Sequence, residues 1–198
     1  MAPMRSDAEA VLREDPVMAE LLDRHEPYTE RERAPFERLC VSIINQQLST
    51  ASAAAVRERV FETLGEVTPT RVLAADAEAL REAGLSGSKV EYVRNAAVAF
   101  QESDLTPAGL DHLDDDAVVD RLTEIRGIGR WTAEMYLIFV LDRPDVLPLG
   151  DLAVRRGIES LYSDGGGLTR AEMREVADAW RPYRSHGTRY VWAAYEAD

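Results

Sequence analysis

An all-α fold is predicted by three features of the 198-residue sequence. Apolar residues recur at helical spacing along most segments. Helix-starting and helix-stopping residues bracket those segments. No stretch sustains the two-residue alternation of β-branched residues that marks a half-buried strand.

Taken in chain order, residues 1–34 read as N-terminal helices that pack on the second of two helical lobes, and residues 35–198 as the core. "PFERLCVSIINQQL" places Phe36, Leu39, Cys40, Ile43, Ile44 and Leu48 on one helical face. "STASAAAVRERVFETLG" opens on a Ser/Thr cap and closes on Gly65. "DAEALREAGLS" is a short helix stopped at Gly84, and "SGSKVEYVRNAAVAFQESD" sets Val90, Val93, Ala97 and Phe100 on one face. "DDDAVVDRLTEI" has an acidic start that suits a helix N-terminus, with Val118, Leu122 and Ile125 inward. "RWTAEMYLIFVLD" runs to the break "RPDVLPLG". "DLAVRRGIESLY", "AEMREVADAW" and "SHGTRYVWAAYEA" are the last helices, with "SDGGGLTR" as a loop.

The totals narrow the class. No apolar run approaches the roughly 20 residues of a membrane helix, so no membrane association is expected. Cys40 is the one cysteine, which excludes an intrachain disulfide and a four-cysteine cluster. His25, His112 and His186 lack metal-ligand spacing. These features predict a soluble, cytoplasmic protein, and a monomer is expected.

Formal net charge is −13, and of 23 basic residues only Lys89 is lysine. Acidic surfaces ordinarily argue against nucleic acid. Two segments escape the acidity. Six arginines face five acids between Arg121 and Ile158, and Arg181, Arg184 and Arg189 have no acid among them between Trp180 and Tyr195. An acidic, lysine-poor chain suits a high-salt cytoplasm, and we read it as halophilic; a GC-rich genome also favours arginine.

The stretch "TEIRGIGRWTAEMYL" interrupts helix formers with Gly127 and Gly129. A helix, a tight turn and a second helix make a helix–hairpin–helix over residues 123–130. The second helix starts with unpaired N–H groups and partial positive charge. Glycines let a phosphate approach the backbone. Gly127, Ile128, Gly129, Arg130 and Thr132 are therefore the candidate contacts to a DNA backbone. Taken alone, the turn reads more readily as an ordinary helix–helix connection.

The wider stretch "LTEIRGIGRWTAEMYLIFVLDRPDVLPLGDLAVRRG" resembles the helix–hairpin–helix plus Gly/Pro-Asp (HhH-GPD) motif of the DNA glycosylase superfamily. Its loop covers residues 144–151 and ends on Asp151. Arg126 stands where the hairpin usually has proline. "INQQLSTASAAAV", "AGLSGSKVEYVRNAA" and "WRPYRSHGTRYVW" are similar to three stretches of the alkyl-base branch, 3-methyladenine DNA glycosylase II, with Asn45 replacing a usual glycine. The likeness spans residues 35–195.

That resemblance implies two helical lobes with the active site in the cleft between them. It also implies a monofunctional enzyme of base excision repair that hydrolyses the N-glycosidic bond of 3-methyladenine or 7-methylguanine. Its partner is double-stranded DNA with damaged bases, met at the nucleoid. Bifunctional relatives carry a lysine just after the hairpin that attacks the sugar. Trp131 stands there, so no strand cleavage at abasic sites is expected. Asp151 is the implied catalytic residue, although aspartate is also a favoured helix cap. Trp131 and Trp192 are implied for the base pocket, with Tyr136 and Tyr190 as weaker candidates; each also suits a core. Gln47 and Leu48 are implied as the minor-groove wedge. No cofactor is required, and the main-chain carbonyls of Thr123, Ile125 and Ile128 would hold an optional monovalent cation, K+ or Na+. The alternatives are a glycosylase for other damaged bases and a non-catalytic module that binds damaged DNA.

The charge reading has its own test. Thermal unfolding followed by circular dichroism is expected to shift to higher temperature as KCl rises to molar concentration. A midpoint that falls over that range overturns the halophilic assignment.

Overall fold

The structure, a computed structural model, describes residues 2–163 and 165–197. Helices are the only regular elements among these residues. They divide into two compact units, Glu32–Leu141, and Met1–Arg31 with Asp142–Asp198.

The unit Glu32–Leu141 holds α3 (Pro35–Asn45), α4 (Thr50–Leu64), α5 (Pro69–Ala74), α6 (Ala77–Glu82), α7 (Gly87–Glu102), α8 (Pro107–Leu110), α9 (Asp115–Thr123) and α10 (Arg130–Phe139). Helix α3 lies at its centre, with α4, α7 and α10 packed on it. Its sequence spacing predicts one buried face. The structure instead buries Phe36 and every residue from Arg38 to Ile44. Arg38 is accommodated because its guanidinium lies 4.6 Å from the Phe139 ring centroid and donates to Ser42 Oγ.

Leu48 departs from its predicted face. Helix α3 stops at Asn45, Gln47 turns to φ 57°, and Ser49 Oγ accepts from Ser52 N to start α4. Leu48 is left 40% exposed. Helices α5 and α8 were not anticipated, although each opens on Thr-Pro, a cap followed by a residue pre-set for the first turn.

The second unit holds α1 (Ala2–Leu12), α2 (Pro16–Arg24), α11 (Leu152–Tyr162), α12 (Arg170–Asp178) and α13 (Arg184–Ala197). The other four pack on α13. Helix α11 approaches α13 at Gly157, where a Cβ would lie 2.5 Å from Val191 Cγ1.

A single carboxylate ties this unit together. Asp15 Oδ1 accepts from Val17 N at 2.9 Å and Met18 N at 3.4 Å, capping α2. Its Oδ2 accepts from Tyr162 Oη at 2.7 Å and from Trp180 Nε1 at 3.2 Å. Trp180 is fully buried, so losing the acceptor strands a polar group where water does not reach.

Asp15→Ala is therefore expected to cost about 2–4 kcal/mol, a lost cap plus unsatisfied donors. The check is the urea midpoint at unchanged m-value. A loss within about 0.5 kcal/mol, the usual surface range, contradicts the assignment.

Candidate functional site

Asp151 sits at the end of a loop whose shape is set from several directions. Its own amide donates to Pro148 O at 2.9 Å, and Arg155 Nη1 donates to the carbonyls of Leu149 and Gly150 at 2.9 and 3.1 Å. Upstream, Arg184 clasps Asp145 with Nε on Oδ1 at 2.7 Å and Nη2 on Oδ2 at 3.0 Å. Arg181 Nη1 adds a contact to Oδ2 at 2.8 Å. Ser185 Oγ donates to Arg143 O and accepts from Val146 N, at 2.7 and 2.9 Å. The residues of "WRPYRS" thus clamp the loop that carries Asp151.

Asp151 is half-buried and serves as the N-cap of α11, where its Oδ1 accepts from Val154 N at 3.0 Å. The same oxygen accepts from Trp192 Nε1 at 3.3 Å. Trp192, expected as pocket wall, is 7% exposed and engages the carboxylate. Tyr28 meets its ring edge-on at a 5.7 Å centroid distance. Tyr28 is in turn fixed by its amide donating to Arg189 O at 3.0 Å.

The hairpin lies in the unit Glu32–Leu141. Ile128 N donates to Ile125 O at 2.9 Å, closing the turn. Its two glycines serve different ends. Gly127 has φ 102°, and a Cβ there would lie 2.1 Å from Tyr92 Cγ. Its glycine is demanded by backbone conformation and by packing. Gly129 is exposed, with open space around a would-be Cβ. It is the N-cap of α10 and brings no side-chain hydrogen bond to the helix start. That open N-terminus can accept an anion.

The remaining predicted residues separate clearly. Gln47 and Leu48 are exposed on the turn after α3. Trp131 is half-buried in the first turn of α10. Arg130 is exposed, pairing with Glu134 at 3.0 Å and reaching Asp116 at 3.8 Å. Thr132 is 1% exposed, and its hydroxyl faces a protein donor, Gln46 Nε2. Tyr136 is a correction: it is 1% exposed and donates to Leu105 O at 2.6 Å, a core residue rather than pocket wall. Burial pushes its phenol above the ordinary range. Tyr190 is 3% exposed and donates to Glu9 at 3.3 Å. The carbonyl of Ile125 accepts the turn's own bond, while Thr123 and Ile125 are half-buried.

Gln46 was missed. Its Nε2 donates to Gly127 O and to Thr132 Oγ1, both at 3.1 Å, joining the turn after α3 to the hairpin. Only its place in "NQQLS" could have pointed to it. Arg155 and the Arg184–Asp145 clasp were also missed, because their partners are backbone carbonyls or a distant carboxylate.

Comparison with known proteins bears on these arrangements. The sequence pattern of the HhH-GPD superfamily base excision DNA repair protein matches residues 40–182. DNA-3-methyladenine glycosylase 1 of Schizosaccharomyces pombe is 31% identical over 181 residues, 88% of this chain and 79% of that protein. The S. pombe 3-methyladenine DNA glycosylase solved with abasic DNA superposes with a TM-score of 0.86 at 30% identity, covering 96% of this chain and 97% of that one. DNA-3-methyladenine glycosidase of Bacillus halodurans gives 0.77 at 33% identity, covering 93% and 87%.

The division between the glycines is testable by thermal melting. Gly127→Ala is expected to destabilise the protein by about 2 kcal/mol or more, through strain and overpacking. Gly129→Ala, a change at an N-cap, is expected to cost about 1 kcal/mol or less. Equal losses contradict the separate roles.

Proposed function

The chain belongs to the HhH-GPD superfamily of base excision DNA repair proteins, and from that premise we propose that it is a monofunctional DNA glycosylase releasing alkylated bases such as 3-methyladenine and 7-methylguanine from duplex DNA. The observation that carries this reading is Asp151, capped onto α11 and bonded by Trp192 Nε1 on one oxygen, in a loop clamped by Arg155 and Arg184.

An alkylated purine already bears positive charge. When its N-glycosidic bond breaks, the bonding electrons leave with the base, which departs neutral. The sugar is left as an oxocarbenium-like cation. Asp151 offsets that charge, and water adds to the sugar carbon as its proton passes to the carboxylate. Trp192 and Val154 fix the carboxylate's direction, so Trp192 is assigned to Asp151. Trp131 is assigned to the base, whose cationic ring it would bind by stacking and cation–π attraction of about 0.5–2 kcal/mol. Tyr136 is left to the core.

The target nucleotide must leave the stack to react. Exposed Gln47 and Leu48 are the proposed wedge. The open start of α10 at Gly129 is the proposed phosphate contact, with Arg130 beside it. Any K+ or Na+ ion would be held by the carbonyls of Thr123, Ile125 and Ile128, joining hairpin to phosphate. The chemistry at the sugar does not require it. Trp131 in the lyase lysine's position supports base removal without strand cleavage.

The test is base release from methylated duplex DNA by wild type, Asp151→Asn and Trp192→Phe. Wild type is expected to free 3-methyladenine or 7-methylguanine, with strand breaks appearing only after alkali. Asp151→Asn should lose about 100-fold or more in single-turnover rate. Trp192→Phe keeps the ring and removes the N–H, and should lose roughly tenfold with DNA binding retained. Binding of damaged duplex without base release would instead indicate a recognition module.

A further inference from the structure

One face of α7 touches both DNA-facing features of its unit. Ser86 caps the helix, its Oγ accepting from Lys89 N at 3.2 Å. Lys89 Nζ then donates to Ile44 O and to Gln46 O, each at 2.7 Å. These carbonyls belong to the end of α3, just before Gln47 and Leu48. One turn on, the Tyr92 ring packs against Gly127. Another turn on, Asn95 Nδ2 donates to Arg126 O at 3.2 Å. Residues 86, 89, 92 and 95 thus follow one helical stripe at a spacing of three.

The two ends of this stripe are also linked to each other. Gln46, whose carbonyl Lys89 holds, sends its side chain to Gly127 O and Thr132 Oγ1. The result is a closed loop of contacts: α7, the turn after α3, the hairpin, and back to α7.

We propose that Lys89 is a positioning residue for the wedge, fixing Gln47 and Leu48 at a set distance from the hairpin that grips the phosphate. The inference rests on the wedge reading of those two residues. Two independent observations lead to it. The carbonyls at the end of α3 carry partial negative charge, which a compact ammonium with rotatable donors satisfies at two points. And the chain uses arginine at every other basic position, yet keeps its one lysine here. A planar guanidinium presents its donors in a rigid fork, whereas the rotatable donors of the compact Lys89 ammonium meet Ile44 O and Gln46 O, two residues apart, from a single nitrogen. Partial burial lowers the Lys89 amine below the ordinary lysine range, in keeping with an amine turned to the protein.

A wedge matters most when the lesion is paired, because unpairing resists extrusion, and less when the lesion is already mispaired. Single-turnover release of 7-methylguanine is therefore measured on paired and mispaired duplexes for wild type, Lys89→Met, Lys89→Gln, Lys89→Arg, Leu48→Ala and the Lys89→Met/Leu48→Ala double variant. Circular dichroism melting selects conditions in which each variant is folded, and Lys89→Gln stands in if Lys89→Met does not fold. The expected result is a roughly tenfold or larger loss for Lys89→Met and Leu48→Ala on the paired lesion, shrinking on the mispaired one. The double variant should lose little more than the worse single one, and Lys89→Arg should not restore the wild-type rate. Equal loss by the Lys89 variants on both duplexes, with the Leu48→Ala difference intact, overturns the role of Lys89 alone. Leu48→Ala with no paired-versus-mispaired difference overturns the wedge reading and this inference with it.

Discussion

A carboxylate offsets a transient positive charge most effectively when it is already held facing one way, with no reorganisation left to make. In this chain Asp151 Oδ1 is held by two N–H groups from different helices, Val154 on α11 and Trp192 on α13. Much of the surrounding unit serves that arrangement. Gly157 brings α11 against α13, so that the two donors arrive together. The start of α13 clasps Asp145 and Arg143, which fixes the far end of the loop. The cap is therefore compatible with the proposed catalytic role, because the bond that starts the helix is also one of the two that orient the carboxylate.

The unit Glu32–Leu141 follows a different logic, in which side chains serve mainly to hold backbone in place. Gln46, Lys89 and Asn95 all donate to main-chain carbonyls, at Gly127, at Ile44 and Gln46, and at Arg126. Each partly buried amide or ammonium satisfies an acceptor that a turn or helix end leaves open. The consequence is a hairpin whose carbonyls at Ile125, Arg126 and Gly127 are held by protein donors, ahead of a helix start that carries no side-chain cap. An acidic protein can present such a surface without adding cationic side chains.

The helices were legible because their starts are local. Asp114, Ser49, Ser86, Asp151 and Thr169 each cap within three residues of their own position. The end of α3 was not legible, since nothing near Gln47 signals its positive φ. Trp131 and Tyr136 both lie on α10 and both looked suited to a pocket. Periodicity assigns a face but not what lies against it, and Tyr136 faces Leu105 O within the core. Gln46 escaped for a related reason: its partners lie 81 and 86 residues away, and a glutamine carries no local mark of such a contact. Asp151 was legible only through the motif around it, since sequence alone offers a helix cap.

The proposed phosphate contact at the start of α10, where Gly129 supplies no side-chain cap, has a thermodynamic consequence. When arginine or lysine neutralises DNA phosphates, the ions condensed on the duplex are released, and mass action makes each such contact weaker as salt rises. A phosphate received by backbone amides meets only a partial positive charge, so fewer of those condensed cations are displaced. A grip built this way has a shallow dependence on ionic strength, so its affinity is set by geometry more than by the surrounding electrolyte.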